Sequence, residues 1–278
     1  MKKITRIAVV GAKDKGGAGL STIAAATATV MRATGAGSFD VHVIDADGFN
    51  QSLTQRLADR DGTGKVLAHQ NPLTGVAKAD LFARDGASPI FEAIESDARV
   101  VIVDTPAGGL TQINQLSENL SARDLVRHCL DNDRVPLVIV PFNPTVATIR
   151  GIGTALDTFG PDAKVIAARS MVGVTHRDYR LWSTEPVVDQ SGRTVGGQVR
   201  RRFEEAGGRV VNVPALAAGA NALAEALTLT YGQAARHKGP GWQSYDGLNV
   251  ASWLGAWMRE LQGIADLLGL ENADWRAF

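Results

Sequence analysis

A chain of 278 residues, 45% apolar and 21% charged, has the composition of a soluble globular protein and is long enough to bury a sizeable core. Lys+Arg and Asp+Glu balance at 29 each, so no overall charge calls for nucleic acid or a membrane surface, and such a contact would need a local patch. The single cysteine, Cys129, excludes an internal disulfide framework and fits a reducing cytoplasm. His128-Cys129 stands too isolated for a metal site and reads as a helix-face pair. Met1-Lys2-Lys3 runs straight into a strand-like segment with no signal-peptide pattern, and no apolar run approaches the ~20 residues that span a bilayer.

Residues 4–10 read as a short buried strand, closed by the Gly-rich turn 11–19, with a small-residue helix over 21–34. A second strand, within 40–47, delivers Asp45 and Asp47 at its carboxyl end. A helix over 51–57 follows, then a polar turn-rich stretch to 75. One or two short helices in 76–97 would turn Phe82 and Phe91 inward. Val100-Val101-Ile102-Val103 is a β-branched run of the kind buried on both faces of a parallel sheet, and it ends in Asp104-Thr105-Pro106-Ala107-Gly108-Gly109. One amphipathic helix is expected over 111–130, a strand over 137–140 between Pro136 and Pro141, a helix over 146–159 and a strand over 164–168. An irregular polar excursion fills 170–198. A short basic helix (200–206), a strand (209–213), a helix (215–227) and a last helix (about 248–268) complete the chain. Strand and helix alternate throughout, which defines an α/β fold with a mostly parallel sheet and helices on both faces. The division expected is a nucleotide-binding domain over 1–238 and a C-terminal amphipathic helix and tail over 246–278.

In such a sheet ligands sit outside the carboxyl ends of the strands. Three chemically loaded segments fall there: the Gly-rich turn, Asp45 with Asp47, and Asp104 with its loop. A Mg²⁺–nucleoside triphosphate needs these parts: backbone donors and a cation for the phosphates, a hydroxyl and a carboxylate for the hydrated metal, and a carboxylate to position water. The ordinary P-loop reads G-x-x-x-x-G-K-[ST]. Here Gly19 and Ser21 hold the last glycine and the hydroxyl, but Leu20 replaces the lysine between them, and Asp14 stands where the first glycine would be.

Lys15-Gly16-Gly17-Ala18-Gly19-Leu20-Ser21-Thr22 resembles the deviant Walker A motif of the ParA/MinD group of P-loop ATPases, K-G-G-x-G-K-[ST], at every fixed position except the second lysine. Val43-Ile44-Asp45-Ala46-Asp47 resembles the family's D-x-D segment, with Gly48-Phe49 in place of the usual Pro-Gln. The run from Val101 to Gly108 resembles its Walker B and switch II, and the likeness covers about residues 4–230. The resemblance implies a P-loop NTPase-like fold, ATP and Mg²⁺ as cofactors, and a homodimer formed on ATP binding. A cargo-linked partner protein, as in plasmid partition, is also implied. Residue by residue, it implies that Gly16, Gly17, Ala18 and Gly19 wrap the phosphates. Ser21 and Asp104 would hold Mg²⁺, and Thr22 the α-phosphate. Lys15 would reach the partner's phosphates, Asp47 would orient water, and Gly108 would sense the γ-phosphate. Arg169-Ser170 stand where the family commonly has a base-reading Asn.

Leu20 removes a cation from beside the β/γ-phosphates, where a lost electrostatic donor costs about 3 kcal/mol or more of transition-state stabilisation. Three readings stay open: slow or absent hydrolysis, substitution by Lys13 or Lys15, or an engineered change. A non-hydrolysing nucleotide-dependent scaffold or regulator is therefore an alternative function, and a MinD-like membrane-site regulator is another. Arg200-Arg201-Arg202 is the one basic cluster, either a solvated face paired with Glu204 and Glu205 or a contact for non-specific DNA. The apolar residues Trp253, Leu254, Trp257, Met258, Leu261, Ile264, Leu267 and Leu268 fall at helical spacing. The polar face carries Arg259, Glu260 and Asp266, not the Lys/Arg excess that suits anionic lipid, so packing on the domain or a partner is expected over a membrane.

Overall fold

In a computed structural model the described residues are 6–13, 16–34, 40–117, 119–183, 187–188, 190, 192, 194–195, 197–271 and 275. The first half of the chain gives β1 (Arg6–Gly11), α1 (Leu20–Thr34), β2 (Val41–Asp45), α2 (Ser52–Leu57) and β3 (Ala77–Lys78). It continues through α3 (Ser88–Glu95), β4 (Val100–Asp104), α4 (Gly109–Ile113) and α5 (Ala122–Asp131). Next come β5 (Arg134–Phe142), α6 (Val146–Phe159), β6 (Lys164–Ser170), α7 (Arg180–Ser183), β7 (Val187–Val188) and β8 (Thr194–Val195). The last elements are α8 (Gln198–Glu205), β9 (Arg209–Val213), α9 (Ala218–Ala226), α10 (Tyr231–Ala234) and α11 (Ser244–Gln262).

Seven strands form one sheet in the order β3-β2-β4-β1-β5-β6-β9, every neighbouring pair parallel. The fold is thus α/β and P-loop NTPase-like, with the strand before the Gly-rich turn at the sheet's centre. Alternation along the strands splits the core in two. Ile7, Val9, Val100, Ile102, Leu137 and Ile139 face α1, α2, α9, α10 and α11. Ala8, Val10, Val101, Val103, Val138 and Val140 face α3, α4, α5, α6 and α8. Both faces of the central strands are therefore dry, which is why their sequences run apolar without alternation.

Two expectations need correction. The helix expected over 111–130 is two, α4 and α5, because Asp124 Oδ2 accepts from both the Ser121 amide (2.9 Å) and the Ser121 hydroxyl (2.7 Å), which starts a new helix. Phe82 does not turn inward: it is 45% exposed and meets the still more solvent-facing Phe49 in a tilted ring contact, centroids 5.3 Å apart. The segment 76–97 holds one helix, within the one or two expected, and adds a two-residue edge strand, β3, before it. In the described part of the irregular 170–198 stretch, Tyr179 and Trp182 enter the core against Phe142 and Phe203; 184–186, 189, 191, 193 and 196 lie outside the described residues.

The C-terminal helix is core, not appendage. In α11, Trp253, Leu254, Trp257, Met258 and Leu261 are buried against α1, α9 and β9. The two indole N–H groups donate to the Pro214 carbonyl (2.9 Å) and the Thr27 hydroxyl (3.2 Å), as buried tryptophans require. From the same helix, Glu260 Oε2 accepts the backbone N–H of Asn212 on the outer strand β9 (2.7 Å). Among the described residues no helix is long and apolar enough to cross a membrane.

Candidate functional site

A cleft of about 270 Å³ opens at the carboxyl ends of β1 and β2. Its walls carry Gly16, Gly17, Gly19, Leu20, Ser21 and Thr22 from the turn and the start of α1, Lys13 before them, and Asp47 after β2. Gly17 (φ 77°) and Gly19 (φ 82°) adopt left-handed backbone, a conformation L side chains rarely take, and this lets the turn wrap inward above the N-terminus of α1. Ala18 lines an adjoining hollow of about 120 Å³ with Lys13, Leu110 and Pro141. Lys15 and Asp14 lie outside the described residues.

The cleft is braced from below. Thr105 Oγ1 donates to the Gly11 carbonyl (2.7 Å), tying the loop after β4 to the loop after β1, and Ala12 N–H donates to Ile139 O (2.9 Å). Ala107 lines the cleft, while Gly108 (φ 78°) follows it and opens α4. The two acids after β2 divide their labour. Asp45 is buried and accepts from Asp47 N (3.2 Å), Thr54 N (2.8 Å) and Thr54 Oγ1 (2.8 Å), so it staples β2 to α2. Burial outweighs those donors and raises its pKa above the ordinary carboxylate value. Asp47 reaches the cleft with part of its acceptor capacity spent on Phe49 N (3.1 Å), Asn50 N (3.0 Å) and Asn50 Nδ2 (3.2 Å).

Asp104 differs from both. It is 1% exposed, and neither carboxylate oxygen has a hydrogen-bond partner among the described residues. Desolvation pushes its pKa up to about 7, against the downward pull of the Lys13 charge and the Ser21 hydroxyl, which is near enough to bias the proton without completing a hydrogen bond. An unsatisfied buried carboxylate costs stability unless something completes it. A hydrated Mg²⁺ reached by Ser21 and Asp104 fits that deficit, because Mg²⁺ keeps most of its waters and takes only one or two protein oxygens beside phosphate. Among the described residues no group of three or more His, Cys, Asp or Glu side chains forms a metal cage, and Mg²⁺ held in this way requires none.

Leu20 is 1% exposed and points beneath the turn, not along it. It sits among Val9, Ile23, Ala24, Ile102 and Ile139, and a Cβ at Gly11 would stand 2.7 Å from its Cδ1. The side chain that replaces the expected lysine is therefore a plug under β1.

The cleft holds residues the sequence patterns left unmarked: Asn50, Ser52, Gln55 and Arg56 from α2 and its approach, and Glu225 from α9. Arg56 Nη2 lies 2.9 Å from Glu225 Oε2, and its guanidinium sits 5.1 Å above the centre of the Tyr231 ring. No motif could have flagged these residues, because they converge only through the fold. Arg200, Arg201 and Arg202 lie on α8 and take no part in the cleft. Arg200 pairs with Glu204 (2.7 Å) and Arg202 with Asp157 (2.5 Å), so much of the basic cluster is locally balanced.

No family model matches the chain, and no curated protein matches it. Among solved structures, the MinD cell division protein of Aquifex aeolicus is similar at 17% identity over 89% of this chain and 96% of that one, TM-score 0.42. An ATP complex of an McdA variant from Cyanothece is similar at 13% identity over 95% and 96%, TM-score 0.43. Cobyrinic acid a,c-diamide synthase of Mycobacterium smegmatis, with bound ATP analog and magnesium, is similar at 20% identity over 66% and 86%, TM-score 0.40. At these scores the residues of the cleft, not the likeness, decide what the chain can bind.

Proposed function

We propose that the chain is a ParA/MinD-like ATP-binding switch, cytoplasmic, that pairs with a second copy when loaded with Mg²⁺–ATP. Through a partner protein it positions or segregates a cargo, plasmid or chromosomal DNA foremost. The observation that carries this reading is Asp104, a buried carboxylate with no partner among the described residues, set beside the Ser21 hydroxyl at the foot of a Gly-rich cradle. Gly16, Gly17 and Gly19 would hold phosphates by backbone N–H groups, with Ala18 beside them, and Thr22 would sit on the α-phosphate. Ser21 and Asp104 would hold Mg²⁺, which supplies charge neutralisation for the phosphates. Lys15 would reach across the pair, Asp47 would orient water, and Gly108 would respond to the terminal phosphate.

Two features support weakened hydrolysis. Leu20 brings no charge to the phosphates and is packed as core, and Asp47 already serves three donors of its own loop. The same features favour a second reading, a scaffold or regulator that binds nucleotide without turning it over. Light scattering and equilibrium titration separate the outcomes. Mg²⁺–ATP is expected to bind and to shift the mass from one chain to two, and turnover is expected below that of a Leu20→Lys variant. A chain that binds no nucleotide in the presence of Mg²⁺ defeats the proposal. Replacement of Arg200, Arg201 and Arg202 by alanine tests the DNA role. Salt-sensitive retention on DNA is expected to fall, and unchanged retention removes that contact.

A further inference from the structure

We infer that Arg56 is the side-chain cation that meets the phosphate tail in this cleft, and that Glu225 is its built-in competitor. The inference rests on the nucleotide reading of the cleft and adds to it the residue that compensates for Leu20. Arg56 lies on a helix outside the Gly-rich motif, yet its side chain lines the same cleft as Gly17, Ser21 and Thr22. That side chain is only 11% exposed. The Tyr231 ring lies against the guanidinium, 5.1 Å from Cζ to its centre, a cation–π contact that leaves the N–H edges as the groups able to bond. Among the described residues those edges meet one partner, Glu225, through Nη2 alone.

Glu225 itself is 53% exposed, so the ion pair is of the half-solvated kind that contributes little to stability and exchanges readily. A guanidinium fork matches phosphate oxygens two at a time, and a phosphate tail carries more charge than one carboxylate. Polyphosphate entering the cleft would therefore take Arg56 from Glu225. Among the described residues the lining holds two cations, Lys13 and Arg56, and two anions, Asp47 and Glu225. Without a phosphate ligand the anion in reach of Arg56 is Glu225; with one, the arginine changes partners and Glu225 turns to water. Lys13 lines the cleft as well, and its charge also acts on Asp104.

The test uses the full chain and two probes, Mg²⁺–ATP and inorganic tripolyphosphate, titrated calorimetrically at fixed salt. Arg56→Gln is expected to weaken both about tenfold to a hundredfold, the range of a lost charge-assisted contact. Arg56→Lys should recover only part, since a lysine has charge without the fork. Glu225→Gln should bind both probes several-fold more tightly than the wild type. Thermal melting identifies any Arg56→Gln protein that fails to fold, and Arg56→Lys and Glu225→Gln then decide the matter. Wild-type binding of ATP with Arg56→Gln unchanged, or Glu225→Gln no tighter, overturns the inference and leaves the nucleotide reading standing. A wild type that binds neither probe removes both.

Discussion

Asp104 shows how one side chain can hold a site in readiness at a cost. In metal-free protein its carboxyl keeps a proton up to about pH 7, whereas in the unfolded chain it ionises near 3.8. Between those values the folded state binds the extra proton, so stability is greatest at the acid end of the window and falls as pH rises toward 7. Asp104→Asn removes this dependence. Denaturant titrations in EDTA should show the variant more stable than wild type at pH 8, by up to about 4 kcal/mol, with a flatter profile between pH 4 and 7. If the proposed nucleotide role holds, Mg²⁺–ATP should stabilise the wild type, and the variant should lose that gain. Leu20 works in the opposite direction, giving cohesion in place of charge. Leu20→Ala should lower the unfolding free energy by about 2–5 kcal/mol, because the tightly packed space beneath Gly11 cannot close around the gap.

At this scale the sequence was legible wherever chemistry and strand position coincide. Asp47, Asp104, Ser21 and the glycines could be picked out because each follows an apolar β-branched run or ends a Gly-rich turn. That Asp45 is a staple and Asp47 a cleft residue could not be read from two acids so close in the chain. The difference lies in Thr54, which meets only the first. Arg56 and Glu225 were invisible because they stand 169 positions apart and neither belongs to a local pattern.

Among the elements, long regular strands and helices were the most readable, and short or interrupted ones the least. The break between α4 and α5 is written as Ser121-Ala122-Arg123-Asp124, a start signal inside an otherwise continuous amphipathic pattern, where periodicity alone spoke for one helix. β3 is too short to have a period at all. Arg134 at the start of β5 performs an unmarked service. It is 1% exposed and donates to the carbonyls of Ile94 and Ser96 (Nη2 to Ser96 O, 2.6 Å) at the C-terminal end of α3. Those carbonyls have no continuing helix to serve, and a cation there also suits the helix dipole. Arg134→Met keeps most of the volume and abandons the carbonyls, so urea unfolding should show a loss of about 3 kcal/mol or more.

For the molecule as a whole, the two faces of the sheet do different work. The face covered by α3 to α6 and α8 is closed by the middle of the chain, whereas the face beneath α1 is completed by α11, the last helix. The tryptophans that could have marked a lipid-seeking tail instead lie between α1 and β9, where they join the end of the chain to the helix that begins the cleft. Formation of the cleft wall at Thr22 and Glu225 is thereby coupled to docking of α11.

The bond from Glu260 to the Asn212 amide matters to molecules other than this one. β9 ends the sheet, and an end strand offers a row of unmet donors to any extended peptide that drifts past. With its own carboxylate seated on that row, the protein refuses a further strand and keeps its long parallel sheet from becoming a template. Glu260→Ala should leave the sheet intact yet shorten the time to visible aggregates on gentle heating. Turbidity traces of wild type and variant at equal concentration would reveal the difference.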